Sequence, residues 1–181
     1  LRAGGLPCEV VSVGSTPTAV HAEHLDGITE IRPGVYLLGD LFQAGIGSCS
    51  EKDIVCSVLA TVISHRKSSN RLVVDAGGLA LSKDRSTADR NFDAGYGLVL
   101  NAQTGEPIND LYVASVHQEH GEIRSKNEMP WDQLPIGALV RIVPNHICMT
   151  AAMYDRYHIM GVNSEIEGIW PRTNGWDNAI Q

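Results

Sequence analysis

The sequence predicts an α/β unit followed by a mainly antiparallel all-β domain, with the change of character near residue 50. Three observations predict it. Residues 1 to about 45 read as strand, turn, short helix and strand, the order of a β/α unit. From residue 50 onward, runs rich in Val, Ile, Leu and Thr recur between turn residues at fairly regular spacing. That second stretch carries no strong helical periodicity.

Taken in order, Glu9-Val10-Val11-Ser12-Val13 is a short apolar run ahead of Gly14, which suits a buried strand. Gly14-Ser15-Thr16-Pro17-Thr18 is a turn, and Pro17 can open a short helix. Ile28 to Arg32 reads as a second strand, punctuated by Pro33-Gly34. Val35-Tyr36-Leu37-Leu38 then leads into a loop or short helix around Asp40 to Gln43. Beyond residue 50 the predicted strands are Val55–Ser64, Arg71–Asp75, Tyr96–Leu100, Leu111–Val116, Ala138–Val143, His146–Tyr154 and Tyr157–Val162. Trp170 and Trp176 flank Pro171 and Arg172 and read as core of a closing segment.

Composition sets the class. With 181 residues, 43% apolar and 19% charged, the chain can bury a core. A net charge of -7 with no Lys/Arg cluster argues against nucleic-acid binding. No apolar run approaches the roughly 20 residues of a membrane span. Cys8, Cys49, Cys56 and Cys148 match no zinc-finger or thioredoxin spacing, so a reduced cytoplasmic setting is expected. The opening Leu-Arg-Ala-Gly-Gly has no methionine and no targeting pattern, and is read as an internal start.

Two segments carry chemistry. Gly14-Ser15-Thr16 lies between a strand and a helix start, where backbone N–H groups and two hydroxyls can hold an anion. A plain turn explains the same residues. His146-Ile147-Cys148, read as strand, places an imidazole and a thiol on one face, a pair suited to an open zinc site. A core contact between them is the competing account. Glu119-His120-Gly121 reads as a solvated hairpin tip, and Asp75-Ala76-Gly77 as a strand end. The chain has no Gly-x-Ser-x-Gly elbow, no Walker loop and no His-Glu-x-x-His.

Five segments in order resemble one family. These are Val11–Thr18, Thr29–Tyr36 with Asp40, Val74–Gly77 with Ala80-Leu81-Ser82 and Asp84, Glu119-His120-Gly121, and Pro144–Cys148. Together they are similar to the D-serine dehydratase / D-threonine aldolase family of alanine-racemase-like pyridoxal-phosphate enzymes. The resemblance implies that residues 1–48 are the last β/α units of a TIM-type barrel and that 49–181 form the family's β domain. It implies that Gly14, Ser15, Thr16 and Tyr36 hold the cofactor pyridoxal 5'-phosphate, and that His146 and Cys148 hold a divalent metal, with zinc expected. The Schiff-base lysine belongs to an N-terminal barrel portion, since Lys52, Lys67, Lys83 and Lys126 stand in no matching context. No catalytic residue is therefore assigned within this chain.

The activity implied is β-elimination of water and ammonia from a D-3-hydroxy amino acid such as D-serine. Retro-aldol cleavage of D-threonine or 3-hydroxy-D-aspartate is the alternative. In aldolase relatives an aspartate often stands where Cys148 stands here, which favours the dehydratase. A homodimer is the implied assembly. A metal-free racemase relative and a non-catalytic β module are the remaining alternatives.

Overall fold

A computed structural model describes residues 2–90 and 92–173. Near the amino end, β1 (Ser12–Gly14) and β2 (Glu30–Arg32) pair in parallel, with Ser12 opposite Glu30 and Gly14 opposite Arg32. The helix α1 (Thr16–His21) lies between them in the chain, so the predicted strand–helix–strand order is present. Both strands are shorter than predicted, and the first is not buried: Val10 is 67% exposed. Parallel strands become buried only when further strands and helices cover them. Among the described residues, β1 and β2 pair only with each other. A short helix α2 (Leu41–Gly45) follows and buries Leu41 against Ala94 and Val143.

The larger part is a closed antiparallel barrel of six strands. They are β3 (Val58–Arg66), β4 (Arg71–Val74), β5 (Gly97–Asn101), β6 (Pro107–Val116), β7 (Gly121–Ser125) and β8 (Leu139–Pro144). Their order around the barrel is β3-β4-β7-β6-β5-β8. Alternation fills the interior, because every second residue points inward. Ala60 and Val62 from β3, Leu72 and Val74 from β4, Val99 from β5 and Leu111 and Val113 from β6 form one core with Ile123, Val140 and Ile142. Closing so small a barrel requires sharp bending, and register shifts at Val62/Ser64, Leu98/Leu100 and Val113/Ser115 supply it.

Strand β7 escapes the sequence reading because Gly-Glu-Ile-Arg-Ser offers one apolar residue, Ile123. Gly121 serves a packing need, since a Cβ there would lie 2.5 Å from the Ala76 carbonyl oxygen. Two short helices interrupt the β pattern: α3 (Gly78–Leu81) after β4, and α4 (Ile147–Ala152) after β8. The second is a correction, since His146–Tyr154 was expected to be a strand. Pro144 ends β8, and Ile147-Cys148-Met149-Thr150-Ala151-Ala152 buries Ile147 and Thr150, three residues apart, as a helix does. Its Met and Ala residues are good helix formers.

The chain then forms the hairpin β9 (Arg156–Met160) and β10 (Ile166–Pro171). Trp170, expected in a core, is 65% exposed on β10, and Trp176 lies outside the described residues. Among the described residues the hairpin pairs with no barrel strand, and Ile166, Ile169 and Trp170 are exposed on it.

Gly121→Ala should lower stability by about 1–3 kcal/mol through overpacking against backbone. Gly168→Ala, where a Cβ meets nothing within 4 Å, should change it by less than about 0.5 kcal/mol. Urea denaturation midpoints check both.

Candidate functional site

The Gly14–Thr16 turn is built around an uncommon backbone. Ser15 has φ 77°, a left-handed conformation for a residue with a Cβ. It is the N-cap of α1: its Oγ accepts from the Thr18 amide at 3.2 Å and shares a 2.8 Å hydrogen bond with Thr18 Oγ1. The Ser15 hydroxyl is therefore already engaged, while the Ser15 and Thr16 amides donate to no described residue. Thr16 is buried, and its Oγ1 accepts from the Tyr36 amide at 3.0 Å, which leaves its own proton free to donate. A Cβ on Gly14 would meet only Arg32 O, at 3.8 Å. Packing does not demand glycine there, and the open turn lets an anion reach the backbone. The structure thus brings Gly14, Ser15, Thr16 and the Tyr36 backbone together. The Tyr36 side chain is 60% exposed.

His146 and Cys148 share one turn, in a geometry other than strand alternation. His146 is the extended N-cap residue of α4 and Cys148 is the second residue of the helix. The imidazole is oriented from outside its own element. His146 Nδ1 lies 2.6 Å from Asp84 Oδ2, on the loop that follows α3. With Nδ1 held by a carboxylate, Nε2 is the nitrogen left for a metal, the pairing common among metal-ligating histidines. The Cys148 residue is exposed, yet partial burial of its thiol, and next the nearby Asp40 carboxylate, push its pKa above the ordinary thiol range. A metal would have to displace that proton.

Three further contacts fix α4. Asp40 is 1% exposed, and its Oδ2 accepts from the Ile147 amide at 3.0 Å. Thr150 Oγ1 lies 3.0 Å from Leu81 O and Tyr154 Oη 3.1 Å from Ala80 O, so α4 hangs from the last carbonyls of α3. Asn145 is fully buried and donates from Nδ2 to Thr87 Oγ1 and to Gly95 O, both at 2.7 Å. It thereby ties down the far end of the loop that carries Asp84. The His117–His120 turn has a role of its own: Gly78 N donates to His117 O at 2.7 Å and Leu79 N to Gln118 O at 3.1 Å, which seats α3.

Asp40, Asp84 and Asn145 were not assigned roles from the sequence. Asp40 carries a legible signal, an aspartate just before Leu41 at a helix start. The reach of Asp84 and Asn145 across 62 and 58 residues leaves no local trace. Among the described residues, no three His, Cys, Asp or Glu side chains are grouped to enclose a metal. A two-ligand site open to water and substrate is what the donor set permits.

Comparison with known proteins follows the same landmarks. The family profile described as "Putative serine dehydratase domain" matches residues 55–160. The D-threo-3-hydroxyaspartate dehydratase of Delftia sp. (strain HT23) is 44% identical over 97% of this chain and 47% of its own length. The D-serine dehydratase of Dictyostelium discoideum is 36% identical over 97% of this chain and 45% of its own. The chain therefore spans about half the length of these relatives. An alanine-racemase-like protein from Idiomarina loihiensis superposes with a TM-score of 0.87 at 42% identity, covering 97% of this chain and 47% of that one. Solved structures of D-threo-3-hydroxyaspartate dehydratase that resemble this chain include a histidine-to-alanine mutant and a cysteine-to-alanine mutant in the metal-free form.

Asn145→Ala should free the loop ends at Thr87 and Gly95. The expected loss is about 1–3 kcal/mol for each buried group left unpaired. Faster amide exchange at Ala94, whose N–H bonds to Thr87 Oγ1, should accompany it; unchanged exchange contradicts the clamp.

Proposed function

From the premise that this chain belongs to the serine dehydratase domain family, we propose that it supplies the cofactor-phosphate turn and metal pair of a lyase acting on a D-3-hydroxy amino acid. The reaction removes the Cα proton and the 3-hydroxyl as water, and hydrolysis of the resulting enamine releases ammonia. The observation that carries this reading is the 2.6 Å Asp84–His146 contact at the N-cap of α4, two residues before Cys148, which leaves a nitrogen and a sulfur available at one helix end.

When bound, pyridoxal 5'-phosphate supplies an electron sink for charge at Cα, and a divalent metal supplies Lewis acidity toward the 3-hydroxyl. The residues here fit both groups. The Ser15 and Thr16 amides and the Thr16 hydroxyl are the donors for the phosphate, with Gly14 giving access to the backbone. His146 Nε2 and Cys148 Sγ hold the metal, and a thiolate ligand favours zinc over magnesium. Asp84 keeps the His146 proton on Nδ1. The loop ends tied by Asn145 hold Asp84 in reach. No lysine of this chain is assigned to the Schiff base, so that residue comes from another part of the enzyme.

In this reading residues 1–48 are the last β/α units of a TIM-type barrel and 49–181 the β domain. The parallel pairing of β1 and β2 supports the first part, and the exposed Val10 and Leu37 supply a face for the rest of such a barrel to cover. A homodimer suits the outward Leu59, Leu139 and Trp170. A reducing cytoplasmic setting suits the thiols of Cys49, Cys56 and Cys148. Dehydration is favoured over retro-aldol cleavage by the relatives. The Delftia dehydratase is 44% identical, whereas the D-threonine aldolase of Arthrobacter sp. is 28% identical.

The full-length protein should carry about one zinc per chain. Chelation, His146→Ala and Cys148→Ala should each lower kcat with a D-3-hydroxy amino acid by at least about 100-fold. Zinc binding should also release a proton from Cys148. Because that thiol titrates above its ordinary range, zinc affinity should rise about tenfold per pH unit between pH 7 and 8. A Cys148→Ala variant should lose that slope. Full activity after metal removal would reject the metal role.

A further inference from the structure

Asp40 is the buried carboxylate on which two helices begin. Its Oδ1 accepts from the Gln43 amide of α2 at 2.7 Å, and its Oδ2 accepts from the Ile147 amide of α4 at 3.0 Å. Bonds from amides to an ionised acceptor are stronger than neutral ones, and a negative charge at a helix start is favourable. A second strand of contact runs alongside, as Phe42 N donates to Asn145 O at 3.3 Å. Asp40 also sits on the segment that leads from the cofactor turn. Tyr36 N binds Thr16 Oγ1, and the backbone passes through Leu38 and Gly39 to Asp40. Ile147, the residue held by the carboxylate, is the one between His146 and Cys148.

We propose that Asp40 is a positioning residue for the metal pair. By fixing the Ile147 amide it sets where His146 Nε2 and Cys148 Sγ point, and it does so from the segment that also anchors the Gly14–Thr16 turn. One carboxylate thus registers the metal ligands against the cofactor-phosphate turn. This rests on the metal reading above and deepens it. No shorter or neutral side chain reproduces the arrangement. Asparagine offers one acceptor oxygen for two amides and turns an NH2 toward the other. Glutamate keeps both oxygens but moves them outward by a methylene.

The test uses zinc as the probe and the full-length protein, in chelator competition at a temperature where every variant is folded. Asp40→Asn and Asp40→Ala are compared with wild type and with a barrel-core control. The control is Ile123→Val or Ile123→Ala, whichever matches the Asp40 variants in loss of Tm. Both Asp40 variants should bind zinc about 10–100-fold more weakly, the range seen when outer partners of metal ligands are removed. The control should keep wild-type affinity. If Asp40→Ala does not fold, Asp40→Asn carries the comparison. Wild-type zinc affinity in the Asp40 variants overturns the proposal, and so does an equal loss in the control, which would make the effect one of stability alone. Absence of zinc binding by wild type overturns the metal reading itself, and the proposal with it.

Discussion

The hydrogen bond from the Ile147 amide to Asp40 is the constraint on which the site depends. Without an acceptor at that amide, the first turn of α4 would leave a buried donor unpaired. With it, the chain leaves β8 at Pro144, turns through Asn145 and His146 and enters a helix whose N-cap carries an imidazole and whose first turn carries a thiol. The acceptor arrives from residue 40, 107 positions earlier in the chain. The small α/β segment and the β barrel are therefore joined at the point where the chemistry is placed.

Everything else around α4 removes freedom from that turn. Asp84 fixes one nitrogen of His146. The carbonyls of Leu81 and Ala80 receive hydroxyls from Thr150 within the helix and from Tyr154 just after it. Helix α3 is in turn seated on the turn between β6 and β7, and Gly121 lets β7 approach the Ala76 backbone closely enough for this. A sequence of small, mostly backbone-mediated contacts thus runs from the barrel wall to His146 and Cys148. The barrel contributes rigidity: its interior is filled by β-branched and leucine side chains, and closure removes the free strand edges that would allow slippage.

Much of this was legible in the sequence. Runs of Val and Ile located β3, β4, β5, β6 and β8 because a half-buried strand leaves a period-two trace. The βαβ order at the amino end was legible from Gly14, Pro17 and the Pro33-Gly34 stop. What failed did so for physical reasons. Strand β7 is specified by close approach at Gly121 more than by apolar pattern. The six residues after His146 are nearly all apolar and the run is too short to separate strand from helix by periodicity, and the distant Asp40 carboxylate caps it as a helix. Gly14, Ser15, Thr16, His146 and Cys148 were visible as chemistry-bearing types. The residues that orient them were not, because Asp84 and Asn145 act across folded distance.

The central claim is that His146 and Cys148 hold one cation at the start of α4. Anomalous diffraction at the zinc edge, on crystals of the full-length protein grown with zinc, tests it most directly. The account predicts one peak about 2.0–2.1 Å from His146 Nε2 and about 2.3 Å from Cys148 Sγ, with Asp84 retained on Nδ1. A peak bound elsewhere, or none at this helix end, would contradict it.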